Sequence, residues 1–227
     1  GEATARALAT AGSRVACLDR DRAAVERVVA ELGGASGAHL ALGCDVLDAG
    51  QVFAAVDRVV GELGRVDVAV NAAGIDHTYW LEELTIDQWD QVIGVNLRGP
   101  FLVAKAVWPQ MRRQGQGHIV NIASTSALRA ASGATAYCAS KFGLLGFGRA
   151  LGLEGRQDNI RVTTVIPGGM RTHFFDRFVE QGIPMPDPAV LQDPANVAST
   201  ILFAVRMPAG SNLHELVVTS PHETAWP

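Results

Sequence analysis

The sequence predicts an α/β fold, a doubly wound parallel sheet with helices on both faces. Three observations carry this. Helical and strand segments alternate from one end to the other. The strand segments are continuous apolar runs, as expected where both faces of a sheet are covered. No internal repeat, low-complexity tract or linker interrupts the 227 residues, so a single domain spanning 1–227 is expected.

The elements follow in order. Residues 2–11 place Ala3, Ala7, Leu8 and Ala11 on one helical face. Gly12 can end that helix, because glycine takes the left-handed conformation without a Cβ penalty. VACL at 15–18 reads as a strand buried on both faces. A second helix, 21–32, ends at Gly33-Gly34; a strand follows at 39–46 and a helix at 48–63. VDVAVNAAG, 66–74, is a strand running into a turn of small residues. Thr85 and Gln88 form a capping box ahead of a long helix, 86–113, which Gly94 and Pro100 should bend. Then come a strand at 118–123, a helix at 134–154 and a strand at 161–166 broken by Pro167-Gly168-Gly169. A helix at 193–206 and a strand at 215–218 complete the pattern. The stretch 172–192 holds prolines and aromatics without regular periodicity and reads as a loop or lid over a substrate site.

Composition narrows the function. The net charge is -4 and no basic block occurs, which argues against nucleic acid and anionic membranes as partners. No apolar run reaches the roughly 18–20 residues a bilayer span requires. Three scattered cysteines, Cys17, Cys44 and Cys138, read as reduced thiols of a cytoplasmic protein. The six histidines show no paired ligand spacing, so no metal site is expected.

Chemistry concentrates in AYCASK, where Tyr137 and Lys141 lie four residues apart on one predicted helical face. An ammonium beside a phenol favours phenolate and should lower the phenol pKa from about 10. A phenol so tuned can exchange a proton with a reacting oxygen near neutral pH. NIASTSA ends a strand with Ser124 thirteen residues ahead of Tyr137, and NAAG (71–74), VNLRGPF (95–101) and Pro167-Gly168 lie at or after the ends of other strands. Open α/β sheets build their sites there.

NAAG, Asn96, Ser124, the Tyr137/Lys141 pair and PGGMRT (167–172), in this order, resemble the short-chain dehydrogenase/reductase family over essentially the whole chain. The resemblance implies a Rossmann-type fold and reversible hydride transfer between NAD(P)(H) and a carbonyl/secondary alcohol pair. Tyr137 would be the general acid/base. Lys141 would lower its pKa and hold the nicotinamide ribose. Ser124 would hold the substrate oxygen, and Asn96 would bind a water linking Lys141 to solvent. Asn71 would brace the sheet, while Ala72, Ala73 and Gly74 would let the cofactor approach the backbone. Pro167, Gly168, the Met170 backbone and Thr172 would meet the carboxamide end of the nicotinamide. Two other readings use the same residues: a nucleotide-binding relative without turnover, and lyase or epimerase chemistry.

Asp19 closes the first strand eighteen residues after Gly1, near the spacing of about twenty expected between a glycine turn and a ribose-binding acid. A carboxylate there accepts from ribose hydroxyls and repels a 2′-phosphate, which favours NAD over NADP. Arg20 and Arg22 are the counter-argument, since arginine accommodates that phosphate. Asp19 or Asp21 could also simply cap the following helix. In the family an Asp-Val pair like Asp45-Val46 contacts the adenine.

Substrate contacts are expected from Ile75, Asp76 and His77, from Leu128 and Arg129, and from 173–178. The C-terminal NLHELVVTSPHETAWP departs from a common family ending, a strand with a Gly-Gly turn, which leans away from ketoacyl reductases and toward small alcohols, aldehydes or sugars. The helices 86–113 and 134–154 carry apolar residues such as Ala136, Ala139, Phe142 and Leu145 on more than one side, and in the family these helices join subunits, so a homodimer or homotetramer is expected. Finally, Gly1 matches the last glycine of the family's GxxxGxG turn. The chain is therefore expected to lack the first strand, the central one, and two glycines, leaving a gap in the sheet. A protein beginning at Gly1 is expected not to bind NAD.

Overall fold

A computed structural model describes residues 1–33, 38–208 and 210–223. Its elements are α1 (Glu2–Thr10), β1 (Ala16–Asp19), α2 (Arg22–Glu31), β2 (Leu40–Gly43), α3 (Ala49–Leu63), β3 (Val68–Asn71), α4 (Ile86–Ile93), α5 (Gly99–Gln114), β4 (Gly117–Ile122), α6 (Thr135–Glu154), β5 (Ile160–Pro167), α7 (Asp176–Glu180), α8 (Pro194–Val205) and β6 (Glu215–Val218). All strand pairings between them are parallel. The fold is the Rossmann-like α/β class that the alternation of elements predicts.

Local chemistry explains the boundaries. Gly12 follows α1 at a φ of 90°, and Gly33 follows α2 at 70°. Gly34 lies outside the described residues. Asp21 and Asp48 cap α2 and α3 through their side chains. The Thr85/Gln88 capping box is complete, each side chain meeting the other's backbone N–H. The segment read as one bent helix is in fact α4 and α5 joined by a π-turn, Gly94–Arg98. Pro100 sits in the first turn of α5, where its missing N–H costs nothing. A π-turn inserts one residue without disturbing the apolar stripe on either side, so periodicity does not reveal it. The strand at 39–46 is shorter than expected, because pairing stops at Gly43, while the strand of 66–74 runs from Val68 to Asn71, where the turn of small residues begins.

Among the described residues the strands form two hydrogen-bonded sheets, β1–β2 and β3–β4–β5–β6. Helices tie them together. Leu102 of α5 packs with Leu40 and Leu42 of β2 and with Val52 and Ala55 of α3. Val56 of α3 joins Val107, Met111, Ile119 and Leu151 in the largest apolar cluster. On the opposite face Val197 and Ile201 of α8 cover Val120 and Val165, and α1 lies against α8. Among the described residues β1 pairs only with β2, and Leu18, expected to be buried on both faces, is 38% exposed. Among the described residues no helix is long and apolar enough to cross a membrane.

The sheet also buries a titratable ring. His118 of β4 is buried, with Nε2 2.8 Å from Thr163 Oγ1. Thr163 spends its own proton on Leu213 O at 2.6 Å, so Nε2–H must be the donor to Oγ1. Nδ1 has no partner. Charging the ring would bury an unpaired N–H, and burial accordingly pushes the pKa from 6.5 down to about 4, with Arg161 adding to the effect. The unfolded chain binds this proton first, so stability is lost as pH falls from 6.5 toward 4. The drop corresponds to about 3 kcal/mol. Chemical denaturation at pH 7 and pH 4.5 should show a steeper loss for wild type than for His118→Leu. Parallel losses would refute the assignment.

Candidate active site

The site forms where the carboxyl ends of β3, β4 and β5 meet α6. Gly148 sets the height of α6, since a Cβ there would sit 2.5 Å from Thr164 Oγ1 and 3.4 Å from Asn121 Nδ2. Only glycine lets the helix lie this close to the sheet. Asn121 Oδ1 accepts from Asn71 Nδ2 at 2.9 Å, bracing β3 against β4 below the site.

Asn96 lies in the π-turn, fully buried. Its Oδ1 accepts from Ile75 N at 2.9 Å. Its Nδ2 donates to Ile75 O at 2.8 Å and to Ser140 Oγ at 3.0 Å. Ser140 in turn donates to Tyr137 O at 2.7 Å. Asn96 is thus a clamp that fixes the chain just past NAAG and links it to the start of α6. Ser140 escaped the sequence reading. Its signal was position, three residues after Tyr137 and one before Lys141.

Tyr137 and Lys141 share one face of α6, with Nζ 5.5 Å from the phenol ring centroid. Lys141 is buried and donates to Ile122 O at 2.8 Å. Burial lowers its pKa from 10.5 to about 8. Burial also pushes the Tyr137 phenol up to about 12, and a hydrogen bond with Ser124 pulls the other way. This reverses the expected direction. Desolvation of the phenol is the largest effect, and the Lys141 ammonium is directed to the Ile122 carbonyl. Ser124 also accepts from Ser126 N at 3.1 Å, capping a 3-10 turn at Thr125–Ala127.

The remaining sequence candidates surround this group. Gly1 starts α1 within 3.9 Å of Ala72, measured from an added Cβ. Ala73 and Gly74 are exposed, and a Cβ on Gly74 would lie 3.6 Å from both Asn96 Oδ1 and Lys141 Nζ. Asp19 is exposed at the end of β1, its Oδ1 accepting from Asp21 N at 3.0 Å, while Asp21 is the cap of α2. Asp45 accepts from Leu47 N at 2.9 Å, and Val46 packs against the start of α5 at Gly99. Gly168 donates to Val218 O at 2.9 Å, and Gly169 to Glu223 Oε2 at 3.2 Å. Met170 bridges Gln192, and Thr172 caps a 3-10 turn at His173–Phe175. His77 and His173 bond to Gln91 and Asp176, as loop histidines do. A cleft of about 630 Å³ lies farther out, beside β2, lined by Arg20, Arg22, Asp45 and Arg58.

The segment read as a lid carries α7 between two 3-10 turns. Phe174 lies 5.5 Å from the Tyr137 ring, and Arg177 stacks on Phe174 at 4.1 Å. Arg177 also pairs with buried Asp76 at 2.8 Å. Asp76 and Arg177 were each candidates by position, but no local signal in the sequence joins residues so far apart.

The short chain dehydrogenase family profile matches residues 1–182. The chain is similar to the D-threitol dehydrogenase of Mycolicibacterium smegmatis, 44% identical over 167 residues, 74% of this chain and 64% of that protein. The matched segment is thus under two thirds of that relative's length. Among solved structures, the 3-ketoacyl-(acyl-carrier-protein) reductase from Brucella melitensis complexed with NADH superposes with a TM-score of 0.87 at 30% identity, covering 98% of this chain and 93% of that one. The alcohol dehydrogenase from the archaeon Thermococcus sibiricus complexed with 5-hydroxy-NADP gives 0.87 at 27% identity, covering 97% and 92%. The chain belongs to the short-chain dehydrogenase/reductase family.

Proposed function

We propose that this protein is an NAD-dependent oxidoreductase interconverting a secondary alcohol and a carbonyl compound, with Tyr137 as general acid/base. The observation that carries it is the convergence of Ser124, Tyr137 and Lys141, with the phenol hydrogen-bonded to Ser124. The residues fit a dinucleotide. Gly1 and Ala72 bring the start of α1 against the end of β3, and Gly74 leaves open the space beside Lys141 Nζ that a Cβ would fill. Ligands of open α/β sheets bind at that end of the strands. When bound, the nicotinamide supplies the hydride chemistry that no side chain here offers. In reduction the phenol, held protonated by burial, gives its proton to the substrate oxygen; in oxidation that oxygen's proton passes to Tyr137 once its own has left. Ser124 holds the reacting oxygen. Lys141, with a pKa of about 8, is still mostly cationic at pH 7 and can hold ribose hydroxyls.

Asp19 supports NAD, since its exposed carboxylate opposes a 2′-phosphate. The second reading, NADP, rests on Arg20 and Arg22 in the neighbouring cleft. Half-exposed Phe142 on α6 and Phe101 on α5 support a homo-oligomer built across these helices, and the unpaired cysteines support a cytoplasmic protein. The test is kcat/KM with NAD⁺ and NADP⁺ over a panel of alcohols and diols that includes threitol, for wild type and Asp19→Ala. Wild type should favour NAD⁺ by about tenfold or more, and Asp19→Ala should erode that preference. A wild type that prefers NADP⁺ contradicts the cofactor assignment. No redox change with any substrate contradicts the activity.

A further inference from the structure

Ile75, held at both backbone groups by Asn96, fixes where Asp76 begins. The Asp76 side chain is 4% exposed. Arg177 Nη2 and Thr78 Oγ1 both donate to Oδ2, at 2.8 and 3.0 Å. Oδ1 is buried and has no donor among the described residues. A carboxylate oxygen can accept two hydrogen bonds, and a desolvated one with none is costly. A second orphan acceptor, Gln181 Oε1, belongs to the same cluster, since Gln181 Nε2 donates to Thr78 O at 3.2 Å. The cluster is one ring away from the phenol, through Phe174. Asp76 raises the phenol pKa and Arg177 lowers it, so both charges act on the reacting group.

We infer that Asp76 Oδ1 is the acceptor for a second substrate hydroxyl, so that the preferred substrate is a neutral polyol, or the hydroxyketone formed from it, with that hydroxyl beside the reacting carbon. This rests on the hydride-transfer reading above. The charge balance gives the class. Arg177 is already neutralised by Asp76, so it offers no spare cation to a carboxylate or phosphate, and Asp76 repels one. Two orphan acceptors require a ligand rich in donors, and a polyol is one. Because Arg177 and Phe174 cover Asp76, substrate must enter with α7 lifted.

The test compares 2,3-butanediol with 2-butanol, a matched pair differing by one hydroxyl, adding threitol and the anionic alcohol 3-hydroxybutyrate, with both NAD⁺ and NADP⁺ and the full-length protein. Variants are Asp76→Asn and the double variant Asp76→Asn/Arg177→Met, which leaves no buried cation unpaired; circular dichroism melts report whether each folds. Wild type should prefer the diol. In both variants the diol-to-monoalcohol ratio of kcat/KM should fall by about 10- to 100-fold. A ratio that stays constant means that Asp76 only anchors α7 or meets water, and overturns the inference. So does a wild type that prefers 2-butanol or 3-hydroxybutyrate, which leaves the hydride-transfer reading intact. Failure on every substrate with both cofactors removes that reading and this inference together.

Discussion

Tyr137→Phe should lower kcat by about 10³-fold, within the range general acid/base groups supply. The phenol is the group on α6 with a transferable proton and a hydrogen bond to Ser124. Phenylalanine keeps the ring against Phe174 and beside Lys141 Nζ. The substitution therefore removes the proton without emptying the space, and cofactor affinity by fluorescence titration should change by less than about threefold, well under 1 kcal/mol. Loss of kcat with intact binding supports acid/base chemistry. Full activity contradicts it. Equal loss of binding and rate would show that the ring, not the oxygen, matters.

Asn96→Ala should be the most damaging substitution for stability among the site residues. It strips partners from Ile75 N, Ile75 O and Ser140 Oγ in one step, at a fully buried position. Unsatisfied buried polar groups cost about 1–3 kcal/mol each, and relaxation recovers part of the total. A loss of about 4 kcal/mol in urea denaturation, or a melting point roughly 10 °C lower, is expected. Activity should fall with it, because the clamp positions Ile75 and the first turn of α6. Both Nδ2 hydrogens are committed, so any water held by Asn96 would have to donate to Oδ1, which, like Lys141 Nζ, lies 3.6 Å from a Cβ added at Gly74. Lower kcat with unchanged stability would favour the water-relay role over the clamp.

Much of the fold was legible because each signal was local. Gly12, the Thr85/Gln88 box and the Tyr137/Lys141 spacing each act within one turn of helix, and each has its reading in the structure. The π-turn was not legible, since α4 and α5 carry sound helical patterns on either side of it. The Asp76–Arg177 pair is a tertiary product of the loop after β3 and α7 coming together. The Tyr137 pKa was misjudged for a related reason. Spacing reports a neighbouring charge but not the loss of water around the phenol, and here the second effect is larger. A helix apolar on several sides is expected to be buried between subunits, and on the single chain Ala139 and Phe142 face outward.

The π-turn carries a consequence for how this region can vary in length. A helix advances by about 100° per residue. Deleting one residue between Gly94 and Arg98 would restore an ordinary helix and swing α4 and α5 by about that angle relative to each other. Either Asn96 would leave Ile75, or Leu102 and Val107 would leave their clusters on α3. A substitution here removes one side chain's contacts, three at most from Asn96, whereas a deletion forces a choice between the active site and the core. Length, more than residue identity, is the quantity this stretch cannot change.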